Sequence, residues 1–153
     1  MRAMVLSRIV SLERDRSPLE LRDVPTPDPR PGEILVKVSV CGVCHTEIDE
    51  IEGRTPPGFF PVVLGHQVVG VVARAVRRGA SRFREGDRVG VAWIYSTCGS
   101  CKFCRTGREN LCPDFKATGR DVDGGYAEFM TAPEAFAHAI PNAFADAEAA
   151  PLL

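Results

Sequence analysis

Apolar and polar positions alternate along much of the chain, in short runs separated by proline and glycine. The clearest run, 32–40, has the period of a strand with one buried face. Three further runs are rich in β-branched and aromatic residues and are also predicted to be strands; they span 68–76, 87–94 and 126–132, with turn formers at Gly79, Gly86 and Gly124. The proline-rich segment 25–31 is predicted to be an extended connector. This pattern indicates a mainly β domain with a barrel-like core.

Composition and charge narrow the class of protein. The chain has 153 residues, of which 44% are hydrophobic and 25% charged, and this is enough to bury one core. Its 19 Lys+Arg and 20 Asp+Glu give a net charge of −1, so it lacks the basic surface of a nucleic-acid-binding protein. The first residues, MRAMVLSRIV, contain no long apolar segment. We therefore predict a cytoplasmic protein with no membrane partner.

The strongest chemical signal is a cluster of four cysteines with the spacing C-x2-C-x2-C-x7-C, namely Cys98, Cys101, Cys104 and Cys112. This spacing can close a tetrahedral tetrathiolate zinc site. A lobe of about 95–113 would then be held together by the metal and not by a hydrophobic core.

Three other interpretations of the cysteine cluster compete with zinc. Disulfides would require an oxidising compartment, to which no feature of the N-terminus points. A nucleic-acid-binding zinc ribbon would require a basic face, which the charge balance does not provide. A redox C-x-x-C pair would follow a strand and open a long helix, whereas Gly99, Ser100 and Gly107 indicate a loop. Structural zinc is the favoured interpretation.

Two further runs contain candidate metal ligands. The run CGVCHTEID, 41–49, follows the first long strand, and the run LGHQVVG, 64–70, comes next along the chain. A single cysteine is usually a small buried hydrophobe and a single histidine a hydrogen-bonded polar group, so neither run alone indicates a metal site. Their presence together with the cysteine cluster strengthens the case that they are metal ligands.

Five motifs occur in an order that resembles one known family. They are CGVCHTEID, LGHQVVG, EGDRVGVAW, the four-cysteine lobe and GGYAEF. Over essentially the whole of 1–153, the sequence resembles the N-terminal, GroES-like catalytic domain of zinc-dependent alcohol dehydrogenases, in the medium-chain dehydrogenase/reductase superfamily. The resemblance implies a GroES-like, partly open β-barrel with short helices and a zinc-bound four-cysteine lobe.

The resemblance also implies roles for individual residues. Cys44 and His66 match the first two protein ligands of a catalytic zinc, and the four cysteines of the lobe match a structural zinc site. Thr46 matches a hydroxyl that passes on the proton of the alcohol; a cap on the helix after Cys44 is its alternative role. His45 matches a residue that contacts the cofactor; the alternative is that it is simply exposed, with no partner. Trp93 matches a residue that lines the alcohol pocket; the alternative is that it is buried in the core.

Five positions either depart from the family pattern or have no assigned role. Gln67 follows the ligand histidine where glutamate is common, which removes a negative charge near the zinc. Glu47 replaces the aspartate that usually partners the ligand histidine. Asp49 replaces a histidine that often ends the proton relay, so we expect the relay to run straight to solvent. Cys41 is predicted to be a buried, inert thiol. His138 is predicted to be a late-strand or surface residue and not a ligand.

The resemblance implies oxidation of a small alcohol to an aldehyde or ketone, with hydride transfer to NAD or NADP. Polyol, cinnamyl-alcohol and formaldehyde dehydrogenases are alternatives within the family. In similar enzymes a third zinc ligand, most often cysteine, and a Rossmann domain follow the position of Leu153, and no G-x-G-x-x-G motif occurs in 1–153. We therefore expect a truncated chain that is inactive alone, from a homo-oligomeric enzyme.

A stand-alone, non-catalytic zinc-binding structural or interaction module is the alternative in another functional class. Against it, a purely structural module has no evident use for Cys44, Thr46 and His66 together.

Overall fold

The protein is built mainly of short antiparallel strands with two short α-helices, and this confirms the predicted fold class. The computed structural model describes residues 1–76 and 81–153, so the turn predicted at Gly79 lies outside the described residues. The strands are β1 (Arg2–Leu6), β2 (Leu19–Asp23), β3 (Glu33–Cys41), β4 (Val62–Val63), β5 (Val68–Ala75), β6 (Arg88–Val91), β7 (Ile94–Ser96), β8 (Lys116–Ala117), β9 (Phe129–Pro133) and β10 (Ala137–Ala139). The helices are α1 (His45–Ile51) and α2 (Asp146–Ala149), and single 3-10 turns occur at Cys104–Thr106, Glu109–Leu111, Glu134–Phe136 and Ala150–Leu152.

The central sheet has the strand order β10-β6-β5-β3-β9 and carries the main core. Its longest strand, β3, pairs antiparallel with both β5 and β9, and the β3–β5 register shifts at Leu35/Val36 and Val38/Val40. Such irregularities increase local twist and bend a sheet, which curls this one into a half-barrel. Buried residues of its strands form one apolar cluster together with Phe83, and these are Ile34, Val36, Val68, Val72, Val89, Val91, Met130, Ala132 and Ala137.

Two smaller sheets flank the central one. The first has the order β2-β1-β4, and the second pairs β7 with β8 at the base of the four-cysteine lobe. The segment 25–31 has no regular secondary structure, in agreement with its prediction as a connector. Among residues 1–76 and 81–153, no helix is both long enough and apolar enough to cross a membrane.

The predicted strands 32–40 and 68–76 agree closely with β3 and β5. The single strand predicted for 87–94 is wrong, because the chain leaves β6 at Ala92 and resumes as β7. Thr118 causes this break, since its amide donates to the Trp93 carbonyl at 2.9 Å and its hydroxyl to the Ala92 carbonyl at 2.8 Å. The strand predicted for 126–132 begins only at Phe129, because Tyr126 instead donates its amide to the carbonyl of Leu64.

The segment from α2 to Leu153 packs against the central sheet at two points. Ala149 and Ala150 are buried against Val69, with Leu153 beside them. At the start of α2, Asp146 pairs with the guanidinium of Arg88, at 2.6 Å from Nη2. A helix of only four residues has little stability of its own, so these tertiary contacts hold it in place.

Candidate metal centres

Among the described residues, two groups of side chains are arranged so that they could hold a metal ion. One consists of Cys98, Cys101, Cys104 and Cys112, and the other of Cys44, Glu47 and His66. Within each group, one candidate ligand atom per residue lies within 4.8 Å of all the others. Both groups coincide with sites that the sequence predicts.

The four-cysteine lobe lies between β7 and β8. Its sulfur atoms are close together, with Cys104 Sγ 3.9 Å from that of Cys98 and 3.5 Å from that of Cys101. Backbone amides point at the sulfurs: Cys101 N–H donates to Cys98 Sγ at 3.3 Å, and Cys98 N–H to Cys112 Sγ at 3.4 Å. All four cysteines are free thiols, so the structure contains no disulfide in the lobe.

Hydrogen bonds to sulfur favour the thiolate form that binds zinc. Backbone amides of Ser100 and Cys101 lower the pKa of Cys98 to about 6. The Thr97 hydroxyl is the main cause of a lowered pKa at Cys104. The Cys98 amide opposes the shift, but burial and the neighbouring thiols of Cys98 and Cys104 raise the pKa of Cys112 to about 11. The lobe therefore provides four converging sulfurs, of which Cys98 and Cys104 are biased toward the thiolate form and Cys112 toward the neutral thiol.

Glu47 joins the two candidate ligands of the second group. Cys44 is the N-cap of α1, and Glu47 lies in the first helical turn, where its Oε2 accepts the backbone N–H of Cys44 at 2.8 Å. This is the carboxylate half of a capping box. The other oxygen, Oε1, lies 2.7 Å from Nδ1 of His66, which follows β4. Both oxygens are thus engaged, and Glu47 supports the site instead of offering a free ligand atom.

The contact between Glu47 and His66 is buried, with 2% and 5% of the two residues exposed. Burial alone would lower the pKa of His66, but the Glu47 carboxylate outweighs it and the pKa is raised. Because Nδ1 faces the carboxylate, Nε2 is the nitrogen left to bind a metal. A carboxylate that holds Nδ1 fixes both the tautomer and the orientation of a ligating imidazole.

Thr46 lies beside the candidate thiolate, with its Oγ1 3.6 Å from Cys44 Sγ. The backbone and hydroxyl of Thr46 lower the pKa of Cys44. The alternative role of Thr46 as the helix cap is wrong. The helix starts two residues earlier than a Thr46 cap would place it, with Cys44 at the N-cap and Glu47 as the capping side chain.

The exposed side of α1 carries an ion-pair chain. His45 is 75% exposed at its side chain, and its Nδ1 lies 3.4 Å from Asp49 Oδ2, so it is not without a partner. Asp49 also contacts the guanidinium of Arg54, whose hydrogen bond is the main cause of a lowered pKa at Asp49. Asp49 is therefore held in its ionised form on the solvent side of the helix.

Trp93 forms one wall beside His66. Its ring centroid lies 4.9 Å from that of the imidazole, in an edge-to-face arrangement at 71°. The other neighbours of Trp93 are Phe115, at 6.2 Å between centroids, and Arg120, whose guanidinium carbon lies 5.4 Å from the indole centroid. Trp93 is half-buried, so it is not the fully buried core residue of the alternative prediction.

Of the remaining predicted positions, Gln67 has a long-range contact: its Nε2 donates to the carbonyl of Leu153 at 3.0 Å. Cys41 ends β3 and packs against the main core, and burial raises its pKa to about 12, as expected for an inert thiol. His138 is exposed on β10 and lies outside both groups of candidate ligands.

Sequence reasoning missed two charged residues near the site. Glu50 is fully buried on α1, and neither of its carboxylate oxygens has a hydrogen-bond partner among the described residues. A helical spacing of three from Glu47 was the only signal that both carboxylates share one face. Arg120 pairs with Asp121 at 2.7 Å and stacks on Trp93. No local pattern pointed to that placement.

Comparison with known proteins agrees with this geometry. Residues 30–142 match the alcohol dehydrogenase GroES-like domain family. The chain is 51% identical over 143 residues to a Mycobacterium tuberculosis protein named "Probable alcohol dehydrogenase AdhA", covering 91% of this chain and 41% of the relative. It therefore spans about two fifths of the length of that relative.

Two solved structures show the same fold. One is an NAD-dependent alcohol dehydrogenase, with 35% identity, a TM-score of 0.85 and coverage of 98% of this chain and 42% of the other. The second is a cobalt- and zinc-bound thermostable alcohol dehydrogenase from Pyrobaculum aerophilum, with 32% identity, a TM-score of 0.86 and coverage of 99% and 44%.

Proposed function

Because this chain belongs to the alcohol dehydrogenase GroES-like domain family, we propose that it is the zinc-binding catalytic domain of an alcohol dehydrogenase. In this proposal the enzyme oxidises a small alcohol to an aldehyde or ketone, and hydride passes to NAD or NADP bound mainly outside 1–153. It acts in the cytoplasm as a homo-oligomer and binds neither nucleic acid nor membranes. The observation that carries the proposal is the convergence of Cys44 and His66 on one point, with Glu47 behind them.

The donor set at this point fits a catalytic zinc. A thiolate and an imidazole nitrogen are both good zinc ligands, and a catalytic site combines three protein ligands with one open position. Cys44 has a lowered pKa, and His66 offers Nε2 because Glu47 engages Nδ1. By resemblance, the third ligand follows the position of Leu153. Bound zinc would lower the pKa of an alcohol so that it ionises near neutral pH.

The residues of this chain have distinct roles in the proposal. Thr46 lies close enough to Cys44 for its hydroxyl to take the proton from an alcohol beside the thiolate, and a hydroxyl can accept one proton while donating another. Glu47 holds His66 in one orientation. Trp93 lies against the imidazole as an apolar wall and limits the space for substrate. His45, exposed at the start of α1, is placed to contact a cofactor.

The four-cysteine lobe is proposed to hold a second, structural zinc. Its four sulfurs complete a tetrathiolate shell, which leaves no open position for a substrate. The lobe has little apolar packing of its own, since Cys112 is its only buried cysteine and Leu111 is half exposed. Zinc binding would then supply much of the free energy that orders it.

Zinc analysis of three single variants tests both sites. We expect the chain to hold one zinc tightly and a second weakly. Cys112→Ser should lose the tight zinc and Cys44→Ser the weak one. Cys41→Ser is the matched control, because Cys41 lies in neither group of candidate ligands, and it should keep both. Retention of the tight zinc by Cys112→Ser would show that the lobe assignment is wrong.

An activity measurement tests whether residues 1–153 can act without the proposed cofactor site and third zinc ligand. With NAD or NADP and simple primary alcohols, the chain of 153 residues should show no turnover, because the proposal puts the cofactor site and the third ligand elsewhere. Measurable turnover by this chain would contradict that part of the proposal.

A further inference from the structure

Gln67 connects the candidate catalytic site to a distant part of the chain. Its backbone carbonyl accepts the amide of Gly42 at 2.8 Å, which fixes Gln67 beside the loop that carries Cys44. Its side-chain Nε2 donates to the carbonyl of Leu153 at 3.0 Å, across a sequence separation of 86 residues. Gln67 directly follows His66, so this bond brings the backbone at Leu153 next to the site.

The segment that ends at Leu153 is held at three points. Arg88 pairs with Asp146 at its start, and Ala149 and Ala150 pack on the sheet in its middle. Neither contact reaches the backbone at Leu153. The Leu153 amide donates to the Ala150 carbonyl within the segment, and the Leu153 side chain packs beside Val69. Among the described residues, the Gln67 amide is the side chain that donates to the Leu153 carbonyl, and it links this end of the segment to the residue after His66.

The chemistry of the contact requires a hydrogen-bond donor at this position. A carbonyl is an acceptor, and an amide NH2 can donate to it, whereas an ionised carboxylate has only acceptor oxygens. The side-chain oxygen of Gln67 is also close to Gly42, since a Cβ built there would lie 2.8 Å from it. Only the Nε2 end of the amide can donate to the Leu153 carbonyl, so this end is directed toward Leu153.

We propose that Gln67 is a positioning residue, which holds the Leu153 backbone against the His66 end of the candidate zinc site through its Nε2–carbonyl hydrogen bond. The functional consequence rests on the proposed function, in which the third zinc ligand directly follows this position. A shift of the Leu153 backbone would then move that ligand relative to Cys44 and His66.

Hydrogen exchange of three substitutions tests the bond. Gln67→Met keeps the length of the side chain and removes the donor, Gln67→Glu replaces the donor with acceptors, and Gln67→Lys restores a donor. The reporters are the amides of Ala149, Ala150 and Leu153, which donate to carbonyls three or four residues earlier. Because one hydrogen bond is lost, we expect exchange at these amides to be about five- to tenfold faster in the Met and Glu variants.

The pattern across the variants separates hydrogen bonding from packing. A packing role would tolerate methionine and respond to lysine, whereas the proposed role predicts loss with methionine and protection with lysine. Asn142→Asp, at an exposed position, adds the same charge as the Gln67→Glu change and should leave exchange unchanged. Asp146→Asn should loosen the start of α2 while the Leu153 amide stays protected, which gives a second test if a Gln67 variant fails to fold.

Wild-type exchange rates in both Gln67→Met and Gln67→Glu would overturn the proposal. The zinc analysis of Cys44→Ser is independent of this result. If Cys44→Ser lost no zinc while the exchange pattern held, the proposed function would fail and the positioning contact would stand.

Discussion

The buried carboxylate of Glu50 should make the stability of the chain depend on pH. Glu50 is fully buried and has no hydrogen-bond partner among the described residues. Burial, and secondly the charge of Glu47, raise its pKa from 4.5 to about 8. Between these values the folded chain keeps the proton while the unfolded chain has lost it. The free energy of unfolding should therefore decrease as pH rises through this window and level off above it.

The size of this effect follows from the shift. At about 1.36 kcal/mol per pKa unit, a rise from 4.5 to about 8 corresponds to an upper limit of about 5 kcal/mol. Relaxation of the protein and entry of water reduce the effective penalty of a buried charge, so we expect a measured loss of about 2–3 kcal/mol. Glu50→Gln removes the titration and should cancel this loss.

The assay is urea unfolding at several pH values between 5 and 9, followed by the fluorescence of Trp93, the single tryptophan. The informative quantity is the difference in unfolding free energy between Glu50→Gln and wild type, because other titrating groups cancel. This difference should increasingly favour the variant as pH rises. Glu13→Gln, which removes the same charge from an exposed position, should show no such trend. A difference that is constant across this range would refute the reasoning.

Three further predictions concern packing and the candidate sites. Gly70→Ala should lower the free energy of unfolding by about 3 kcal/mol, because its Cβ would collide with the backbone carbonyl oxygen of Lys37 on β3. Gly58→Ala, with open space around the new Cβ, is the control, and thermal unfolding is the measurement. Glu47→Gln should lower the affinity of the Cys44–His66 site for zinc about 10- to 100-fold, because the variant loses the carboxylate that orients the histidine. A competition titration measures this affinity, and the affinity of the four-cysteine site should be unchanged. Trp93 emission should change when zinc occupies the site at His66, 4.9 Å away, and an unchanged spectrum at full occupancy would contradict this placement.

Local patterns predicted the local parts of this fold. The runs of apolar and β-branched residues located β3 and β5. Burial does not follow a strict alternation, because β5 is buried on both faces at its start: Val68 packs in the main core and Val69 packs against the segment of α2. The break after β6 was missed because it depends on Thr118. Thr118 donates hydrogen bonds to the carbonyls of Ala92 and Trp93, and the whole four-cysteine lobe lies between these residues in the sequence. The sheet formed by β1, β2 and β4 was missed for a similar reason, since β4 has only two residues and no periodicity to detect.

The candidate sites divide in the same way. The spacing of the four cysteines is a known metal-binding pattern and predicts that group directly. Cys44 and His66 were proposed as ligands only because five ordered motifs resemble one family. The burial of Glu50 and the contact from Gln67 to Leu153 could not be proposed from sequence, because each depends on how separate segments pack.

Glu47 makes helix formation and site assembly a single event. The same carboxylate caps the first turn of α1 and orients the imidazole of His66. When that turn frays, the imidazole loses its orienting partner at the same moment. The affinity for metal there should therefore fall as the first turn frays, and bound metal should in turn stabilise the turn. Temperature or denaturant, even at levels too mild to unfold the sheet, would then regulate metal occupancy through this one turn.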